Sequence, residues 1–181
     1  MRNLSYWPTS SLRLLNAAIV VGSLFLCLLM LPTRLPGLEL LGISPNWALI
    51  WVVAWSLKRK PWQGIVAGLV VGWLQDAMTS AEPTHAISLA VVGLLTARLE
   101  KQKYLQEDFI SVALVVFGMA LLAETILALQ FSLTGVRTLS EIWTTHQPLA
   151  LASAILSSLW APVVYFPLNR WWQTFRNLDP S

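Results

Sequence analysis

The chain has 181 residues, of which 56% are hydrophobic and only 12% charged, with a mean hydropathy of +0.62. Too few polar side chains are present to cover a soluble globule of this size, so the composition indicates an integral membrane protein. The single cysteine, Cys27, excludes an intramolecular disulfide and a cysteine metal cluster, and the net charge of +3 acquires meaning only from where the basic residues lie relative to a bilayer.

Arg2 and Arg13 precede an apolar run over residues 14–31 that is broken only by Asn16 and Ser23. The run is long for a signal-peptide core, and Pro32, Thr33 and Arg34 offer no small-residue cleavage site, so it is predicted to remain as a first transmembrane helix. Cys27, within it, reads as a small core or lipid-facing residue. Residues 32–43 read as a loop or short interfacial segment. Ser44-Pro45 then supplies an N-cap and a first-turn proline for a second helix over 45–57, short against the ~20 residues of a full span.

The third segment, 61–78, carries Gly64, Gly68, Gly72 and Asp76. A spacing of four keeps these on one helical face, so three positions without side chains lead up to one carboxylate. Small residues at this spacing let a second helix approach until backbones touch, which is the main packing device in lipid. Further helices are predicted over about 85–99, 108–130 and 148–168, with Pro162 expected to kink the last. The longest loop is predicted over 131–147.

Positive charge selects the topology. With six spans and a cytoplasmic N-terminus, the inner side holds Arg2, Arg13, Lys58, Arg59, Lys60, Arg98, Lys101, Lys103, Arg170 and Arg176, and the outer side only Arg34 and Arg137. If the short second helix dips in and returns, only Arg2, Arg13 and Arg137 stay inside against nine outside, which the preference for inner lysine and arginine disfavours. The expected architecture is therefore an all-α, six-transmembrane-helix bundle over 14–168, with cytoplasmic tails 1–13 and 169–181. Trp171, Trp172, Trp7, Trp62 and Trp143 fall near predicted boundaries, where aromatic belts sit. Trp47, Trp51 and Trp55 form a stripe predicted to face lipid or a partner helix.

Carboxylates inside a bilayer cost about 3 kcal/mol each and are functional candidates by default. Counted at ~1.5 Å per residue from the inner ends of their helices, Asp76 lies at about 22 Å and Glu124 at about 24 Å. The third and fifth helices are thus expected to pack with these acids near one another, sharing a proton or meeting Gln75, Gln130 or His85. No G-x-S-x-G elbow, H-E-x-x-H pair, P-loop or second intramembrane aspartate accompanies them. His85 and His146 read as ordinary interfacial histidines rather than, with Glu82 or Glu141, as a metal site. Neither catalysis, a cofactor nor a nucleic-acid partner is expected.

These features resemble the rod shape-determining protein MreD family of small bacterial inner-membrane proteins. The resemblance covers roughly residues 14–130 and rests on size, Pro45-Asn46, the basic turn Arg59-Lys60-Pro61, the run Gly64, Gly68, Gly72 and Asp76, and then His85-Ala86 and Gly93. Pro83 and Thr84 stand where the family usually has a glycine before its His-Ala pair. The resemblance implies a non-enzymatic, multi-pass scaffold of the cell-elongation machinery, with MreC as partner and MreB, RodA and a class B penicillin-binding protein as further ones. It also implies a bundle similar to the S-components of energy-coupling-factor vitamin transporters. That similarity carries the alternative of a small-solute transporter subunit, in which Ala18 and Gly22 of the first helix would dock a transport partner.

Overall fold

The computed structural model describes residues 9–33, 42–79, 83–100, 108–133 and 139–178, with the side chains of 9, 100, 139–146 and 176–178 left aside. The described residues form six helices: α1 (Thr9–Leu29), α2 (Trp47–Ser56), α3 (Pro61–Thr79), α4 (His85–Glu100), α5 (Phe109–Leu133) and α6 (Leu139–Leu178). Among them, Ser10–Leu29, Phe109–Leu133 and Gln147–Phe175 are long and apolar enough to cross a membrane. At about 1.5 Å per residue the 19 residues of α3 also approach the ~30 Å hydrocarbon thickness. Its three glycines, two glutamines and Asp76 make it less apolar than those three.

The bundle is built around its shortest helix. The ten residues of α2 rise only about 15 Å, half the hydrocarbon thickness. A helix that is apolar all round must be buried all round, and every residue of α2 except Trp55 is. It packs against each of the other five helices, while α3 with α4 and α5 with α6 form the two largest interfaces. The α5–α6 interface is periodic: Val112, Val116, Met119, Ala120, Ala123 and Leu127 are the buried positions of α5. Small residues Ala154, Ser157 and Ala161 are buried on α6, allowing close approach. In contrast α1 is attached mainly to α2.

The start of α2 is held from two directions. Asn46 accepts from the Leu49 N–H at 3.0 Å, capping the first turn, and its own N–H donates to Ser157 Oγ in the middle of α6 at 2.9 Å. Asn46→Ala is expected to lose about 1 kcal/mol through the cap, lowering the unfolding midpoint of the purified protein by ~2–4 °C. A Ser157→Ala chain keeps the cap and should lose less.

The tryptophan stripe faces partner helices within the chain. Trp51 donates to Ser23 Oγ of α1 at 3.0 Å and stacks on Trp55 at 5.6 Å, Trp55 meets the edge of Trp172 at 5.3 Å, and Trp47 meets Trp160 at 5.7 Å. The Arg59 guanidinium lies 4.2 Å over the Trp55 ring, a cation–π contact that closes the stack at the basic turn.

Two expectations change here. α6 runs from Leu139 to Leu178 through Pro148, Pro162 and Pro167, so much of the predicted 131–147 loop and 169–181 tail is helical. Pro148, about where the last helix is predicted to begin, lies inside α6, since one proline removes only one backbone donor and packing against α5 supports the rest. Trp172 is buried at 7% exposure, and Trp171 is half-buried with its indole N–H 3.3 Å from Asn16 Oδ1. Trp172 is therefore core rather than belt. Trp62, 60% exposed on α3, suits an interfacial place. Trp7 and the Trp143 side chain lie outside the described residues.

Candidate functional site

The glycine stripe of α3 meets the backbone of α4, antiparallel and in register. A Cβ added at Gly64 would fall within 3.0 Å of the Gly93 carbonyl, and one at Gly93 within 3.0 Å of the Gly64 carbonyl. One turn on, a Cβ at Gly68 would strike the Leu89 carbonyl and, at 2.6 Å, Ala90 Cα. At Gly72 it would strike Ala86 Cα and, at 2.6 Å, the Ala86 nitrogen. Each step of four up α3 is matched by three or four down α4, so the seam is continuous over three turns. Every obstruction nearest these positions is backbone, which no rotamer change can move.

At the level where α4 begins, the next position of the stripe is Asp76. Its carboxylate accepts from Thr84 Oγ at 2.5 Å, from the His85 backbone N–H at 2.9 and 3.1 Å, and from His85 Nδ1 at 2.7 Å with the ring proton on that nitrogen. Thr84 Oγ in turn accepts from the Ala86 N–H at 3.1 Å, as an N-cap hydroxyl does. Asp76 therefore satisfies donors at the first turn of α4 that have no partner inside the helix, and its negative charge sits at the positive end of the helix dipole. With side-chain exposures of 17% for Asp76 and 20% for His85, the pair is shielded enough for these bonds to outweigh surface ion pairs.

The arrangement is a clasp. Three different groups occupy the carboxylate. Ser88, the hydroxyl nearest His85 on α4, donates to the His85 carbonyl at 2.9 Å rather than to the ring, so among the described residues no serine continues the Asp-His pair. Among the described residues no group of histidine, cysteine or acidic side chains could hold a metal ion. Glu82 and the side chains of Glu141 and His146 lie outside them.

Of the neighbours expected for Asp76, the structure supplies His85 but not Glu124. α3 packs on α4 and α2, whereas α5 packs on α6, α4 and α2. The main packing of α3 is thus on α4 rather than, as expected, on α5, because the glycine face lets α4 approach to backbone contact. Glu124 is half-buried on α5. Gln75 is buried at 5% exposure with its Oε1 unpartnered, and Gln130 is half-buried on α5 with Nε2 unpartnered. Ala18 and Gly22 are exposed on α1, and a Cβ at Gly22 would meet nothing within 4 Å.

Sequence reasoning passed over two members of the site. Thr84 read only as a departure from a glycine-bearing turn, yet a threonine directly before an apolar helical run is an N-cap signal. Gly93 lacked a partner until the register was known.

A family model described as rod shape-determining protein MreD matches residues 11–174. No curated protein and no solved structure matches the chain.

Proposed function

Because the chain belongs to the rod shape-determining protein MreD family, and so to the determinants of cell shape, we propose that it is a non-enzymatic membrane scaffold of the bacterial cell-elongation complex, which binds MreC and through it serves peptidoglycan synthesis. The observation that carries this reading is the α3–α4 seam. Three glycines and a carboxylate that accepts from three donors are used to lock two helices together, an arrangement that gives rigidity and turns Asp76 to holding the first turn of α4.

Rigid inner helices leave outward faces for docking. On α3 the face away from the seam exposes Trp62, Val66, Val70 and Trp73, and α1 exposes Leu14, Val21, Phe25 and Leu26. The six-span topology with both ends in the cytoplasm places ten of the twelve basic residues on the inner side, where anionic lipid and cytoplasmic partners would meet them. The location proposed is the inner membrane, with several passes. MreB, RodA and a class B penicillin-binding protein would be reached within the same complex.

Depletion of the protein in a rod-shaped host is expected to give rounded cells, and the tagged chain is expected to retain MreC through mild detergent purification. Normal shape on depletion together with no retained MreC would remove the scaffold reading.

A further inference from the structure

We propose that a groove on the C-terminal part of α6 binds the headgroup of an anionic phospholipid at the membrane boundary. The groove has a volume of about 580 Å³ and, among the described residues, is lined by Phe166, Pro167, Asn169, Arg170 and Gln173. These residues close the apolar stretch Gln147–Phe175, and any helix crossing a bilayer there brings them to the level of headgroups, whichever side it faces.

The lining is graded along the helix axis. Phe166 and Pro167 are exposed about one turn nearer the middle of the apolar stretch than Arg170 and Gln173, which are exposed in turn. Leu168 and Trp172, on the same turns, are buried at 8% and 7% exposure, which fixes the rotation of the helix and keeps Arg170 outward. Asn169 is 5% exposed and lines the floor. Hydrocarbon followed by a guanidinium matches an acyl chain followed by a phosphodiester. Arginine offers a planar fork suited to phosphate. The described lining has one cation and no carboxylate. A soluble phosphoanion shares the headgroup chemistry but would leave the apolar part unused. The site depends on α6 crossing the membrane and not on MreC binding.

The test uses the delipidated full chain, titrated with dioleoylphosphatidylglycerol or dioleoylphosphatidylethanolamine and followed by native mass spectrometry. The wild type should prefer phosphatidylglycerol. Arg170→Gln should lower that affinity about fivefold and leave the zwitterionic lipid unchanged, while Arg170→Lys should retain part of the preference; an unchanged unfolding midpoint in both variants would show that the fold is intact. Millimolar inorganic phosphate should not displace the bound lipid. Equal retention of the two lipids by the wild type, or full retention of phosphatidylglycerol by Arg170→Gln, would overturn the proposal. Displacement by inorganic phosphate would assign the groove to a soluble anion instead.

Discussion

A Gly68→Leu chain is expected to yield no folded protein in the membrane. The Cβ alone would lie within 3.0 Å of the Leu89 carbonyl and of Ala90 Cα, and the remaining side-chain atoms would have to fit between two backbones already in contact. Overpacking by a methylene or so costs about 1–3 kcal/mol when neighbours can shift. Here they cannot shift singly, since moving α4 away from Gly68 also opens the contacts at Gly64 and Gly72. Even Gly68→Ala should therefore cost at least the upper part of that range, a large share of the ~5–15 kcal/mol that holds a typical domain together. Gly22 and Gly118 have nothing within 4 Å of an added Cβ, so Gly22→Ala and Gly118→Ala should stay within about 0.5 kcal/mol of the wild type. Yield of monodisperse protein and unfolding midpoint, measured across the four variants, check the ranking. A Gly68→Leu chain as stable as the wild type would mean that the seam is absent.

Asp76→Leu is the second large effect, and its sign follows from opposed terms. Leucine removes the cost of carrying a carboxylate into the bilayer, at most about 3 kcal/mol at the centre and less near a helix end. It also removes bonds to Thr84, the His85 N–H and His85 Nδ1, worth about 1.5–3 kcal/mol each for a charged acceptor, and a helix-dipole contribution of about 0.3–1 kcal/mol. These bonds share one acceptor and do not add fully. Even so the loss exceeds the relief, and it leaves the first donors of α4 unmet in a partly buried place. The variant should be destabilised by about 2–4 kcal/mol, with cell-shape complementation falling in parallel with protein level. A stable Asp76→Leu chain that fails to complement would instead indicate a chemical task for the carboxylate.

The seam was legible in the sequence up to the point where a partner had to be chosen. The spacing of Gly64, Gly68, Gly72 and Asp76 states which residues share a face, because helical periodicity is local. It does not state which helix meets that face, and the choice of α5 rested on equal depth, which fixes height along the membrane normal but not direction around the helix axis. α4, next along the chain, takes the place. In the same way Trp47, Trp51 and Trp55 announced a bulky stripe, but only assembly turns it onto Trp160, Trp172 and Ser23. The limits of α2, α3 and α4 lie within about two residues of expectation, although α2 is capped by Asn46 and not by Ser44 as expected, because the side chain that reaches the first-turn N–H is settled by local backbone geometry. α6 is much longer than expected, since a proline inside a helix looks the same in sequence as a proline that begins one.

The most direct measurement is a double-mutant cycle across the clasp, with the unfolding free energies of the wild type, Asp76→Asn, Thr84→Val and the double variant determined in lipid or mild detergent. If Asp76 works by binding the first turn of α4, the two positions should couple by about 1–2 kcal/mol. Additive effects, with no coupling between them, would contradict the account.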